Sequence, residues 1–172
     1  MDQNTAVDLG EARTQLYEIL EAEEGAVTER CRQTLALGCA YLGVENAHLK
    51  EIPGGDGSGA RVSLAAGDRT WIADDTPLGD PAFCRATVQQ AEALEITDAE
   101  AEGYAENPGY ADHGVACYLG ARVIVDAATY GTVCFVSSTP RETSFAPEQR
   151  LFAELLHAAV RDICEQPTRP AV

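Results

Sequence analysis

Two apolar runs near the carboxyl end decide the fold: Val115-Ala-Cys-Tyr-Leu-Gly-Ala-Arg-Val-Ile-Val125 and Tyr130-Gly-Thr-Val-Cys-Phe-Val136. Both are rich in the β-branched and aromatic residues that are enriched in strands. Residues 126–129 alone separate them, which is too short for the crossover that parallel strands need. The pattern therefore predicts a central antiparallel hairpin, with its reversal at Ala127-Ala128-Thr129 and a bend or bulge at Gly120.

Shorter strand patterns precede this hairpin. Asn46–Ile52 and Ala60–Ala66 alternate apolar and polar residues, and the stretch 53–59 between them has the composition of a turn. We also predict short strands at Arg69–Ala73, which carries Trp71, and at Leu94–Thr97. In the first of these strands, His48 has the parity of an outward-facing residue.

Helical periodicity marks both ends of the chain and one segment in the middle. Apolar residues recur at three- and four-residue steps over 9–24 and over 28–42, where Thr28 is the predicted cap. Asp80-Pro81 is typical of a helix start and predicts a helix over 82–90. The last helix begins at Pro147 and contains His157. Closely spaced strands with flanking helices predict an α+β fold, an antiparallel sheet covered by helices.

The charge balance restricts the possible partners. The 172 residues include 28 acidic and 12 basic side chains, which gives a net charge of -16, and Lys50 is the only lysine. An acidic, lysine-poor surface is typical of proteins that work in high salt, where screening reduces self-repulsion. Nucleic acids and anionic membranes are bound through basic clusters, which this sequence lacks, so we expect neither as a direct partner. No apolar run is long enough to cross a membrane and no secretory signal is visible, so we expect a cytoplasmic location.

Six cysteines lie in apolar, periodic segments: Cys31, Cys39, Cys84, Cys117, Cys134 and Cys164. We interpret them as free, mostly buried thiols that behave as small hydrophobes. There is no C-x-x-C pair, and His113 is a lone histidine in a polar loop, so we expect no metal site. The sequence names no cofactor.

Several motifs, taken in order, resemble a known family. Pro77-Leu-Gly-Asp-Pro-Ala-Phe-Cys84 followed by Ile96-Thr-Asp-Ala99 resembles the middle of a GAF domain. The two runs of the central hairpin, followed by Pro140-Arg141 and Phe145-Ala-Pro-Glu148, resemble its closing strands and last helix. The resemblance covers about residues 12–165. Segments such as Leu16-Tyr-Glu-Ile-Leu20 and Asn107-Pro-Gly-Tyr110 are similar to GAF domains of haloarchaeal signalling proteins.

The resemblance implies an architecture and a role. The sheet would have five to six strands, with the terminal helices on one face and short helices and loops on the other. The domain would span 9–165, between a disordered N-terminus (1–8) and a disordered tail (166–172). It would act as a non-enzymatic signal-input domain beside a histidine-kinase, PAS or helix-turn-helix module, in two-component signalling or transcription regulation.

The resemblance also implies where a ligand would bind, between the sheet and the covering loops. Aromatic and polar residues gather in that region of the sequence: Phe83, Cys84, Tyr104, Tyr110, His113 and Tyr118. An apolar lining with a few polar groups is typical of a small-molecule site. The alternative is that these side chains only close the core beneath the loops.

The terminal helices have wide apolar stripes, which favours a homodimer built from Leu16, Leu20, Leu155 and Ile163. Packing of both helices on their own sheet is the alternative. Two further hypotheses for function are a ligand-free dimerisation scaffold and a thiol-based redox sensor or methionine sulfoxide reductase-like enzyme. Cys84 and Cys117 fall near the region that carries cysteines in free methionine-R-sulfoxide reductases, although the Gly-His-Ile-Ala-Cys-Asp type of motif is absent.

Overall fold

Five antiparallel strands form one sheet, and helices cover both of its faces. In the computed structural model, which describes residues 7–22, 26–52, 61–76 and 82–165, the spatial order is β2-β1-β5-β4-β3. The strands are β1 (Asn46–Glu51), β2 (Arg61–Gly67), β3 (Leu94–Ile96), β4 (Cys117–Val125) and β5 (Ala128–Ser137). Every neighbouring pair is antiparallel, which confirms the predicted α+β class.

Three longer helices pack on one face of the sheet. They are α1 (Leu9–Glu21), α2 (Val27–Leu42) and α5 (Pro147–Glu165). Their apolar stripes meet alternate residues of the strands, such as Ala47 and Leu49 of β1 and Phe135 of β5, in one core cluster. Two short helices, α3 (Ala82–Val88) and α4 (Pro108–Ala111), lie on the opposite side. The predicted division between terminal helices and short covering elements is therefore confirmed.

Strands β4 and β5 form the predicted central hairpin, but its turn lies earlier than predicted. Val125 pairs with Ala128, so the loop is Asp126-Ala127 and β5 already begins at Ala128. Asp126 (φ 51°) and Ala127 (φ 63°) both have left-handed backbone conformations. Two central residues of this kind form a two-residue turn whose twist matches the right-handed twist of the strands, so the loop needs no third residue.

Residues 69–73, predicted as a strand, form turns instead. The carboxylate of Asp68 accepts a hydrogen bond from the Thr70 amide (3.0 Å), and the carbonyl of Asp68 accepts from the Trp71 amide (3.3 Å). These local bonds occupy backbone groups that a strand would have offered to a neighbour. The structure has five strands for this reason.

The helix starts and the chain ends also differ from expectation. Helix α2 begins after Ala26, which supplies no side-chain cap, so Thr28 is not the capping residue. Helix α4 was not predicted, and Asn107 caps it through a hydrogen bond from the Gly109 amide (2.9 Å). The predicted turn at 53–59, the Asp80-Pro81 helix start and the two disordered ends lie wholly or largely outside the described residues.

Candidate functional site

Strand β1 carries alternating side chains to two different environments. Ala47 and Leu49 join the core beneath the long helices. Because side chains alternate along a strand, Asn46, His48 and Lys50 point to the opposite face, where all three are buried. The expected outward parity of His48 is correct, but exposure is not, because short helices and loops cover that face too. A row of three polar residues is thus buried under this cover.

Neighbouring elements add further polar groups to this row. In the β1–β5 register, His48 lies opposite Cys134 and Lys50 opposite Thr132. Helix α3 contributes Cys84 and Thr87 from above, and β4 contributes Tyr118. We call the following eight buried side chains the polar cluster: Asn46, His48, Lys50, Cys84, Thr87, Tyr118, Thr132 and Cys134.

Lys50 and Cys84 are the charged centre of the polar cluster. Lys50 Nζ donates a hydrogen bond to Cys84 Sγ at 3.0 Å, although the lysine is only 7% exposed. Burial opposes a charged lysine, but the neighbouring sulfurs of Cys84 and Cys134 outweigh it and raise the pKa of Lys50 above its ordinary value. The neighbouring Cys134 thiol and the positive charge of Lys50 hold the pKa of Cys84 well below that of a free thiol, against the effect of burial. Both shifts favour an ammonium–thiolate pair.

A directional chain of hydrogen bonds starts at the second thiol. Thr87 Oγ1 donates to the Phe83 carbonyl oxygen at 2.7 Å. Because the hydroxyl proton of Thr87 is used in that bond, Thr87 Oγ1 accepts a hydrogen bond from the Tyr118 hydroxyl at 2.6 Å. Tyr118 in turn accepts from Cys134 Sγ at 3.1 Å. The chain keeps Cys134 protonated, and burial likewise raises the pKa of Cys134 well above its ordinary value.

The hydrogen bonds of Asn46 fix the protonation of His48. Asn46 Nδ2 donates to the carbonyl oxygens of Asp68 (2.9 Å) and Ile72 (3.0 Å), so its Oδ1 faces His48 Nδ1 at 3.0 Å as an acceptor. Nδ1 therefore carries the ring proton and Nε2 is left as an acceptor. Burial lowers the pKa of His48 well below its ordinary value, as do the nearby charges of Lys50 and His113. Nε2 has no hydrogen-bond partner among the described residues.

Aromatic rings close the polar cluster at the α3 side. The Phe83 ring centroid lies 5.5 Å from that of Tyr104 and 5.3 Å from that of Tyr118. Tyr110 packs against the same apolar cluster, and its hydroxyl donates to Glu100 at 3.0 Å. Trp71 Nε1 donates to the carbonyl oxygen of His113 at 2.9 Å, which ties the 68–76 segment to the 107–114 segment.

The structure thus brings together most of the predicted ligand-site residues. Phe83, Cys84 and Tyr118 are buried side by side, Tyr104 and Tyr110 pack at their edge, and His113 contributes through its backbone. Cys117 lies in the core on the other face of the sheet, away from Cys84, because it precedes Tyr118 by one residue in β4.

Only two of the eight residues of the polar cluster, Cys84 and Tyr118, were predicted as site residues. The other six are Asn46, His48, Lys50, Thr87, Thr132 and Cys134. The available signal was the polar residues at every second position of β1, one of which is the only lysine of the chain. Cys134 was predicted to be a core residue, and it is buried, but its sulfur faces polar partners.

The four predicted dimer residues fall into two classes. Leu16 (7% exposed) and Ile163 (fully buried) belong to the core beneath the sheet and offer no surface to a second copy. Leu20 on α1 and Leu155 on α5 are exposed, as are Tyr17 and Leu151 one helical turn away from them. The exposed apolar surface of the terminal helices therefore consists of these four side chains.

Open grooves occur elsewhere on the surface. One, of about 710 Å³, lies between α1 and α2, and another, of about 360 Å³, lies between β4 and α5. Neither includes a residue of the polar cluster. The cluster itself is closed, since all eight of its side chains are buried.

The comparison with protein families assigns this architecture. A family model described as "GAF domain" matches residues 11–161. The chain belongs to the GAF domain family. Among curated proteins, none matches this sequence. In the part of the GAF chain that the structure describes, no helix is both long and apolar enough to span a membrane.

Solved GAF structures share the fold at low sequence identity. The GAF domain of a phosphoenolpyruvate-protein phosphotransferase from Coxiella burnetii is 14% identical, with a TM-score of 0.70 over 93% of this chain and 94% of that one. The chromophore-binding domain of a bacteriophytochrome from R. palustris has a TM-score of 0.67 and 14% identity, over 87% of this chain and 57% of that one. Free methionine-R-sulfoxide reductase from Neisseria meningitidis, in complex with its substrate, has a TM-score of 0.66 and 14% identity, over 96% and 92%.

Proposed function

We propose that this GAF domain is a non-catalytic signal-input module that binds a small molecule at the polar cluster and passes the change to a neighbouring output module. The observation that carries the proposal is the buried acceptor His48 Nε2, which has no partner among the described residues and lies in a row of polar groups on the covered face of the sheet. A buried polar atom without a partner costs about 1–3 kcal/mol, so a ligand that satisfies it gains a corresponding advantage.

The chemistry of the polar cluster restricts the ligand. Because His48 is neutral with its proton on Nδ1, the ligand must present an N–H or O–H donor to Nε2. The rings of Phe83, Tyr104 and Tyr118 supply the apolar wall on which a flat, unsaturated molecule packs. Since the polar cluster is closed, binding requires α3 or the neighbouring loops to move outward, and this movement is the proposed signal.

The terminal helices are the proposed route to the output. Helices α1 and α5 are the first and last elements and pack on the face opposite the polar cluster. We infer that a neighbouring histidine-kinase, PAS or helix-turn-helix module reads their position. A cytoplasmic setting and a haloarchaeal type of host protein fit the acidic composition and belong to the same proposal.

A thermal-shift screen of the purified domain tests ligand binding. Small metabolites, cyclic nucleotides and haem are each added in molar salt, and an absorption spectrum of the protein as purified reports any coloured ligand already bound. A compound that raises the unfolding temperature of the wild type should fail to do so in His48→Phe, which keeps a ring but removes the acceptor. His157→Phe makes the same change on the other face and should retain the shift. Equal shifts in the two variants would place the ligand elsewhere.

A ligand-free dimerisation scaffold is the second candidate function, favoured by the exposed side chains of Tyr17, Leu20, Leu151 and Leu155. We infer that a second copy of this chain covers them, since α1 and α5 pack together and place all four on one helical layer. Sedimentation in molar salt should then show a dimer that Leu155→Glu converts to a monomer. A wild-type monomer at high concentration would reject the dimer.

A further inference from the structure

Two sulfurs and one ammonium meet inside the polar cluster, and the proposed ligand binding uses none of their chemistry. Cys84 comes from α3 and Cys134 from β5, and both sulfurs lie close to the same atom, Thr132 Oγ1, at 3.6 Å and 3.4 Å. Lys50 Nζ lies 3.0 Å from Cys84 Sγ. We propose that Cys84 and Cys134 are a peroxide-reactive dithiol, in which Cys84 attacks the oxidant and Cys134 then closes an intramolecular disulfide.

The hydrogen bonds assign different roles to the two sulfurs. Cys84 accepts from Lys50, whereas Cys134 donates its single proton to the Tyr118 hydroxyl at 3.1 Å and lies 3.4 Å from Thr132 Oγ1. The nucleophile in thiol chemistry is the thiolate. Cys84, which carries negative charge beside the ammonium, is therefore the attacking sulfur, and the protonated Cys134 is the resolving one.

The burial of Lys50 supports a thiolate at Cys84. None of the ion pairs between described residues includes Lys50. A buried ammonium without a counter-charge is strongly disfavoured. The sulfur of Cys84 is in contact with Nζ and can supply this negative charge as a thiolate. The thiolate therefore lowers the free-energy cost of burying the Lys50 ammonium.

The reaction balances with hydrogen peroxide as oxidant. The Cys84 thiolate attacks one peroxide oxygen and the O–O bond breaks, which gives a sulfenic acid and a hydroxide that takes a proton from the Lys50 ammonium to become water. Cys134 then attacks the Cys84 sulfur, the S–O bond breaks, and the departing hydroxide leaves as water with the Cys134 proton. The two sulfurs lose two electrons, the peroxide gains them, and one disulfide and two waters form.

Burial selects the oxidant. Both sulfurs are fully buried, so an oxidant must enter through a small local opening around the seven-residue helix α3. Hydrogen peroxide is close to water in size, whereas oxidised glutathione is a peptide disulfide that needs direct access to the sulfur. Peroxide should therefore oxidise the dithiol and oxidised glutathione should not.

The other cysteines of the chain provide an internal comparison for the reactivity of Cys84. Burial raises the pKa of Cys39 to about 12 and that of Cys117 to about 11, so both remain thiols at neutral pH. Cys31 of α2 and Cys164 of α5 are also close enough to shift each other's pKa, which is raised for Cys31 and lowered for Cys164. This second pair lacks a lysine, because Lys50 is the only one, and it competes with Cys84 and Cys134 in the same experiment.

Peptide mapping after peroxide treatment tests the proposal without any variant. The reduced domain is exposed to hydrogen peroxide at pH 7, alkylated under denaturing conditions and mapped by mass spectrometry over time. We expect a Cys84–Cys134 disulfide to form at least tenfold faster than Cys39 or Cys117 is oxidised. Formation of the Cys31–Cys164 disulfide first, or a Cys84 that reacts no faster than Cys117, would overturn the proposal.

Two variants and one control variant test the separate roles of Cys134 and Lys50. Cys134→Ser should stop the reaction at the Cys84 sulfenic acid, which dimedone traps, while Cys117→Ser should leave disulfide formation unchanged. Lys50→Met keeps the length of the side chain without its charge and should slow Cys84 oxidation at least tenfold. Should Lys50→Met fail to fold, the peptide map of the wild type still decides the outcome.

Discussion

The guanidinium of Arg32 and the carboxylate of Asp74 are joined by two hydrogen bonds, of 3.0 Å to Oδ1 and 2.8 Å to Oδ2. Both side chains also bond the backbone of Ala65 in β2, through its carbonyl (2.7 Å) and its amide (2.8 Å). Strand β2 lies at one edge of the sheet. The pair therefore occupies backbone groups that an edge strand would otherwise expose to another chain.

We expect Asp74→Asn to lower the free energy of unfolding by about 1–3 kcal/mol, because it removes a charge-assisted, partly buried pair. The hydrogen bond from Arg32 lowers the pKa of Asp74 to about 2. The stabilisation is thus present above pH 3.8 and is lost as the pH falls towards 2. Chemical denaturation at pH 7 and pH 2.5 measures both effects. Glu51→Gln, which removes the more exposed 3.4 Å pair with Arg61, should cost less than about 1 kcal/mol.

His157 should make stability depend on pH in a higher range. Burial lowers its pKa from 6.5 to about 4. The unfolded chain takes up a proton below pH 6.5 and the folded chain does so only near pH 4. Stability is therefore full above 6.5 and falls by about 3 kcal/mol as the pH drops to 4.

Denaturation curves at pH 7, 5.5 and 4.5 should show this loss in the wild type. It should be smaller in His157→Gln, which keeps a donor for the Val133 carbonyl (3.2 Å in the wild type). His48 contributes in the same direction, so part of the slope should remain. Parallel curves for the two proteins would contradict the assignment.

The hairpin turn offers a stabilising substitution. Ala127 has φ 63°, a left-handed conformation that costs a residue with a side chain about 1–2 kcal/mol. We expect Ala127→Gly to raise the free energy of unfolding by about 0.5–1 kcal/mol after the greater entropy of glycine in the unfolded chain is deducted. Thermal unfolding checks this. The matched change Ala128→Gly, at the first residue of β5, should destabilise instead.

The net charge of -16 predicts a protein that needs salt. We expect the unfolding midpoint to rise with KCl, most steeply between about 0.1 and 1 M, where the screening length falls from about 10 Å to about 3 Å. Neutralising exposed acids on the terminal helices, with Glu18→Gln and Glu154→Gln together, should flatten this dependence. A midpoint that does not change with KCl would argue against adaptation to high salt.

Secondary structure was predicted correctly from the sequence where the local residue pattern agrees with the contacts that the segment makes in the fold. The β4–β5 hairpin and helix α5 were predicted correctly from local pattern. Two closely spaced apolar runs indicate paired strands, and an apolar stripe of that length indicates an amphipathic helix. Trp71 was wrongly placed in a strand, because the side chain of Asp68 turns the backbone there. A hydrogen bond from the Thr70 amide to the carboxylate of Asp68 outweighed the strand propensity of the residues that follow.

The candidate site was predictable only in part. Phe83, Cys84 and Tyr118 were identified because aromatic and polar residues gather between residues 83 and 118 of the sequence. His48 and Lys50 were not, because alternation tells which residues share a face but not whether that face is covered. Contact between Lys50 and Cys84, which are 34 residues apart, depends on how α3 lies on the sheet.

The polar cluster and the terminal helices are separated by a single layer of backbone. Cys134 faces Lys50 and Tyr118, and the ring centroid of the next residue, Phe135, lies 5.8 Å from that of His157 in the terminal helix α5. Because Cys134 and Phe135 are adjacent in β5, a small displacement of β5 at the polar cluster also displaces the side chain that faces the long helices. In the proposed function, the residue next to the ligand and the residue that contacts the output helix would thus be one peptide bond apart, with no relay of intermediate side chains between them.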